Sequence, residues 1–148
     1  MKGEVEMKTG PALKQLTSHR SIHDAGQAQA RALTSELMNY FEDDNQEDAL
    51  EASKALIQHW EEKIIAHADA EDETFFQELL EGDEIPDQHV YMMMRDHNLF
   101  REITAHIKES IEENEEITMN HIYEFNTLLI LNSFHHIGEE KYLFPNEK

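Results

Sequence analysis

The chain has 148 residues, enough for one domain, with an apolar share of 39% and only 5 Gly and 3 Pro; this argues against disorder and against a many-stranded sandwich or barrel. Its 12 Lys and Arg stand against 32 Asp and Glu, a net charge of −20, so neither nucleic acid nor an anionic membrane surface is an expected partner. Cys is absent, which removes disulfides, thiolate metal sites and thiol nucleophiles, while 10 His is high for a residue that is the commonest metal ligand.

Residues 1–10 carry no apolar signal region and read as a short tail before a domain over 11–148. Thr9-Gly10-Pro11 opens the first helical segment, with Pro11 at an early helical position. A stripe at alternating spacings of four and three follows: Ala12, Leu16, His19, His23, Gly26, Ala30, Leu33, Leu37, Tyr40. It stops in the capping cluster Glu42-Asp43-Asp44-Asn45. The second segment runs from about Gln46 to Gly82, with Leu56, Trp60, Ile64, His67, Glu71 and Phe75 on its stripe and Gly82 as a left-handed stop. The third starts after Asp83-Glu84-Ile85-Pro86 and reads Met93, His97, Phe100, Thr104, Ile107, Ile111. After the solvated turn 112–116, Thr118 caps a fourth: His121, Phe125, Leu128, Asn132, His135, Glu139, Tyr142. Four long segments with short connections predict an all-α, antiparallel up-down-up-down four-helix bundle. The longest aliphatic run, Leu128-Leu129-Ile130-Leu131, is too short to span a bilayer, so a soluble cytoplasmic protein is the expectation.

The two halves repeat. His19 on one segment is followed by His67-x-x-x-Glu71 on the next; His97 is followed by His135-x-x-x-Glu139. Each H-x-x-x-E meets an apolar pair beyond the Glu, Phe75-Phe76 and Leu143-Phe144. A duplicated helix hairpin accounts for this. His and Glu at i, i+4 share a helix face, and here that face is the inward one. A buried ionised Glu costs several kcal/mol unless something pairs it. Six such groups at the middle of a bundle need a common partner, and a pair of metal ions supplies one. With no thiolate, N and O ligands suit iron or manganese, with zinc possible.

At these residues the chain resembles the hemerythrin-like family, the HHE cation-binding domains. The resemblance runs from about Leu13 to Pro145 and rests on His19, His67 with Glu71, His97, and His135 with Glu139 before Leu143-Phe144-Pro145. It implies a non-heme di-iron centre in which the two Glu bridge and the His are terminal. Oxygen-carrying members have a second His four residues after the third-helix His; here that position is Arg101, while His23 stands four after His19. If His23 ligates, five His, two bridging Glu and a bridging oxygen fill about eleven of about twelve positions. If it is instead an outer partner of a ligand, about two positions are open.

The other histidines take plainer expectations. His136 and Glu140 are about 100° round from the ligand stripe and are expected at the surface, as are His59 and His106; His89 and His121 are expected to be structural. The acidic runs lack the D-x-D-x-D-G pattern of calcium loops. The resemblance implies a protein that binds O2 or a related small diatomic as carrier or sensor. The alternative is a di-iron redox enzyme or a stress or iron-homeostasis factor handling NO or peroxide, or donating or sensing iron, so whether the protein is an enzyme is left open. Iron–sulfur repair members carry a Cys-bearing N-terminal domain, which disfavours that version here. Ferritin-like sites want Glu-x-x-His spacing, absent in this chain. The expected state is a monomer or weak homo-oligomer.

Overall fold

A computed structural model describes residues 16–145; the expected tail, Pro11 and Ala12 lie outside them. Six α-helices follow in order: α1 Leu16–Glu42, α2 Gln46–His59, α3 Ala66–Glu73, α4 Phe75–Glu81, α5 Asp87–Asn114 and α6 Met119–Leu143. A π-helical turn, Trp60–Ile65, joins α2 to α3. No strand occurs among the described residues, and no helix is long and apolar enough to cross a membrane.

Local chemistry sets the ends. Asp44 and Glu115 take positive φ, 58° and 53°, closing α1 and α5 in the left-handed region, which the short polar side chain of Asp tolerates well. Asn45 caps α2 by accepting from the Asp48 amide at 3.2 Å. Thr118 caps α6 as expected, and His121 completes a capping box by accepting from the Thr118 amide at 3.0 Å. Gln46 ties the two loops together, donating to the Ile117 carbonyl at 2.9 Å and accepting from its amide at 2.8 Å.

The second segment departs from expectation. It is not one uniform α-helix: the π turn interrupts it before His67, and it breaks again at Thr74. There the Thr74 hydroxyl donates to the Ala70 carbonyl at 2.7 Å, a side chain competing for the helix's own acceptor. Gly82 is extended, with φ −90° and ψ 180°, and not left-handed. A glycine is only permitted, not required, to take positive φ, and the chain goes straight on to Pro86.

α1 lies against α2 and α6, and α5 lies against α6 and against the π turn, α3 and α4. The buried apolar residues form two clusters. One gathers Ala30, Leu37, Leu56, Trp60, Phe100, Ile107, Phe125 and Leu128 among others. The other gathers Leu16, Phe75, Phe76, Val90, Met93, Leu143 and Phe144. The polar inward residues lie between them. α1 and α6 are pinned there by a buried amide pair: Asn132 donates to Gln27 Oε1 at 2.7 Å, and Gln27 donates to the Leu129 carbonyl at 2.9 Å and Ser133 Oγ at 3.0 Å. Gly138 lets α5 approach α6 closely, since an added Cβ would meet Met93 Cε at 3.0 Å.

Candidate metal centre

The structure brings all seven sequence-predicted side chains together in two overlapping groups. His19, His23, His67 and Glu71 form one; Glu71, His97, His135 and Glu139 form the other, each with its donor atoms within 4.8 Å of one another. α1 supplies His19 and His23, α3 His67 and Glu71, α5 His97, and α6 His135 and Glu139. His67 is partly exposed and the other six are buried.

The two carboxylates knit the groups. Glu71 Oε2 has His19 Nδ1 at 3.3 Å and His67 Nε2 at 3.5 Å, and its Oε1 has His97 Nε2 at 3.3 Å. Glu139 Oε1 has His19 Nε2 at 2.9 Å, His135 Nε2 at 3.2 Å and His23 Nε2 at 3.3 Å. His19 thus touches both carboxylates.

These separations resemble those around a cation. Donors about 2.1 Å from one ion sit about 3.0 Å apart when octahedral neighbours and about 3.4 Å apart when tetrahedral. Hydrogen bonding accounts for them poorly. Both Glu71 oxygens, Glu139 Oε2, His19 Nδ1 and His67 Nε2 are buried without a hydrogen-bond partner, although nitrogens lie close to Glu71. Leaving one such atom bare costs about 1–3 kcal/mol. The donor set therefore fits a metal ion: nitrogen and carboxylate oxygen, buried, with bare atoms facing inward.

Two carboxylates that sequence reasoning missed hold the imidazoles in place. Asp72 accepts from His97 Nδ1 at 2.8 Å, and Asp96 accepts from His135 Nδ1 at 2.9 Å. Both rings thereby turn Nε2 inward, and these two nitrogens face each other at 3.1 Å. Carboxylate on one ring nitrogen and a cation on the other is the usual outer arrangement of a metal-binding His. The available signal was adjacency: Asp72 follows Glu71 and Asp96 precedes His97.

Arg101 is the outer half of one of these contacts. Its guanidinium donates to Asp72 Oδ2 at 2.6 Å and twice to Asp69 Oδ1, at 2.7 and 3.0 Å. Asp72 thus bridges Arg101 and His97. Burial alone would raise the Asp72 carboxyl, but its bonds from His97 and Arg101 hold it below the usual range. Asp96 has no such clamp, so the repeat is unequal at this layer. Because Arg101 is about a third exposed, Arg101→Gln should cost about 1 kcal/mol, less at high salt, and leave metal stoichiometry unchanged. Melting curves at two ionic strengths with metal analysis check this; complete metal loss would make Arg101 part of the centre itself.

His23 faces the centre, and its ring stacks on His136 at 3.8 Å and 8°. His136 is therefore not the surface residue expected: it is half-buried and lines the cavity described below. His59, also expected at the surface, binds the Gly26 carbonyl through Nε2 at 2.9 Å and lines the same cavity. Residues 100° off the stripe still reach inward where a helix pair opens. His106 is exposed, His121 is taken up in capping and a contact with Ser110 at 2.9 Å, and Glu140 pairs with Arg20 at the surface.

Charge in the centre is finely opposed. Burial would lower the His135 imidazole, but the Glu139 charge and the Asp96 contact outweigh it and raise it to about 10. His19 and His97 are raised likewise against burial, by Glu139 and by Asp72 respectively. Burial wins at His23, pushed well below the ordinary imidazole range, and at His136, lowered to about 4. Glu139 is held well below the usual carboxylate range: burial opposes this, but His135 and His23 outweigh it. An unfolded imidazole loses its proton near 6.5 while His135 keeps it to about 10. The metal-free folded chain then holds the extra proton between those values. The stability that His135 contributes should be full below pH 6.5 and fall toward pH 10, by up to about 1.4 kcal/mol per pH unit per such group. Protons compete with metal for the same nitrogens, so apparent metal affinity should climb over that window. Melting of chelator-treated protein from pH 6 to 9.5 tests the first trend; a flat profile would contradict it.

A cavity of about 570 Å³ reaches the centre from outside. Its walls include Ile22, Ala25 and Gly26 of α1 and Lys63 and Ile64 of the π turn, and it ends at Glu71, His97 and His135.

No protein-family profile, curated protein or solved structure matches the chain.

Proposed function

We propose that this is a hemerythrin-like antiparallel four-helix bundle whose centre holds two non-heme iron ions and binds O2 or a related small diatomic as a carrier or sensor. The up-down-up-down topology is supported by short connections and by the lateral pairing of consecutive segments and of α1 with α6. The observation that carries the metal reading is the buried, unpartnered Glu71 carboxylate shared by both donor groups. A carboxylate between two donor sets, with Glu139 across from it, is what a dinuclear site uses to bridge. Nitrogen and oxygen donors suit iron, and manganese or zinc fit the same set.

The chain's own residues would do the following. Glu71 and Glu139, with His19, His67, His97 and His135, would hold the ions, with His23 as a further donor on the α1 side. Asp72 and Asp96 fix the tautomers of His97 and His135 and keep their Nε2 atoms pointed inward. Phe76 stacks on His97 at 5.2 Å and 7°, and Phe144 lies 5.1 Å from His19. These rings close one side of the centre to water, which strengthens every electrostatic contact inside. When bound, ferrous iron supplies electrons that a diatomic ligand can borrow and return.

Metal analysis of the protein from its native host, then anaerobic reduction and O2 titration followed by visible spectra, tests this reading. Two irons per chain and a discrete spectrum that reverses on degassing are the expected results. Oxidation without a reversible species would move the assignment to the di-iron redox enzyme or stress factor. That second reading has one observation in its favour: the cavity is far larger than a diatomic needs.

A further inference from the structure

Protein interiors hold few voids larger than a water molecule. A cavity of about 570 Å³ falls within the roughly 300–1,000 Å³ typical of sites for small organic ligands. It is reached between α1 and the π turn, where Ala25, Gln29 and Lys63 are exposed. Its exposed wall is chiefly carbon, from Ile22, Ala25, Gly26, Ile64, Ala68 and Phe100 together with the ring carbons of the histidines that line it. An apolar space of this size gains little from holding only water or a diatomic.

This lining does not share the chain's excess of acids, since its fixed charges are one Lys and one Glu. Acids outnumber bases 32 to 12 in the sequence, yet among the described residues the only carboxylate lining the cavity is Glu71, at its inner end. The only lining residue of fixed positive charge is Lys63, at the rim, with His59 one turn before it. The other lysines and arginines at helix surfaces are largely paired: Lys54 with Glu51, Lys108 with Glu61, Arg20 with Glu140, Arg95 with Glu102. Lys63 forms no such pair among the described residues, although Glu61 and Glu62 are close in sequence. A cation at the mouth of the pocket, with the one lining acid held at the far inner end, suits an amphiphilic anion.

We propose that this cavity binds a small organic carboxylate with an apolar body, its carboxylate at the Lys63 ammonium and its body along Ile22, Ile64 and Phe100 toward the His/Glu group. This deepens the redox reading of the same site, on which it rests for its functional meaning, by naming the ligand class.

Calorimetry with octanoate, 1-octanol and acetate on the full-length protein with its native metal tests it, with metal content measured on the same sample. Octanoate should bind, about fivefold tighter than octanol, the share expected of one solvent-exposed charge pair. Acetate, which has no body to bury, should bind at least tenfold more weakly. Lys63→Gln should abolish the preference for octanoate over octanol while keeping octanol binding. Ala25→Phe, which plugs the rim at an exposed position, should weaken both by tenfold or more. Circular dichroism confirms that each variant folds. No octanoate binding, equal binding of octanoate and octanol by the unsubstituted protein, or an unchanged preference in Lys63→Gln overturns the proposal. If octanoate fails while two metals are present, the ligand inference falls and the metal reading stands. If protein isolated from its native host binds octanoate with this selectivity and is found to hold no metal, the cavity assignment stands and the di-iron reading falls.

Discussion

Alanine at His135 should empty the centre and lower the melting temperature by about 10 °C or more. His135 is buried, joins Glu139 to Asp96, and faces His97 across the middle of the site. Removing one partner from a buried ion pair leaves the other charged and bare, which costs about 3–5 kcal/mol, or some 10 °C for a chain of this length. Metal loss adds to this, because ligand binding is part of folding free energy. His67→Ala should also lose metal with a smaller fall in melting temperature, since His67 is only partly buried and its Nε2 has no hydrogen-bond partner among the described residues. Retention of two ions with unchanged melting in His135→Ala would refute the assignment.

On the proposed dinuclear reading, glutamine at position 139 or 71 should leave the protein holding a single ion or none. The substitution keeps the shape but removes the charge and one oxygen able to bind metal. Glu139 is the carboxylate on which His19, His23 and His135 converge, so its loss frees three imidazoles at once. Glu140→Gln is the control. That residue sits beside Glu139 but pairs with the half-exposed Arg20, and such pairs contribute about 1 kcal/mol or less. Metal stoichiometry by elemental analysis separates the two. Equal losses at 139 and 140 would mean that the inward face of α6 has been misassigned.

Periodicity reads some elements of this chain well and others not at all. On α5, Met93, His97, Phe100, Thr104, Ile107 and Ile111 are all buried as their spacing predicts, because an uninterrupted helix obeys its own repeat. On α1 the stripe holds at Leu16, His19, His23, Ala30 and Leu37, but Gln27 and Thr34 are buried where Gly26 and Leu33 were expected. Each is the position next to the expected one, and both polar side chains find partners inside. The π turn left no mark in the apolar pattern. It adds a residue to one turn without altering composition, and such turns recur at functional sites; here it forms the wall that carries Lys63. Asp72 and Asp96 were hidden for another reason: a carboxylate that accepts from a ligand's far nitrogen sits beside the stripe and looks like surface. The duplicated H-x-x-x-E pattern was legible because it violates the rule that charges stay out of the interior.

The contact between His19 and Glu139 joins residues 120 apart in the chain, whereas His97 and His135 are 38 apart. Closing the longer loop costs about 1 kcal/mol more chain entropy, from (3/2)RT ln(120/38). The order of assembly follows from that difference. The hairpin of α5 and α6 can bring His97 and His135 face to face early, while α1 is still undocked, and the His19 contacts complete the centre only when both ends of the chain have met. Refolding should therefore be paced by the arrival of α1, and a substitution that weakens its seat, such as at Gln27 or Asn132, should slow the last step while leaving the first hairpin to form at its own rate.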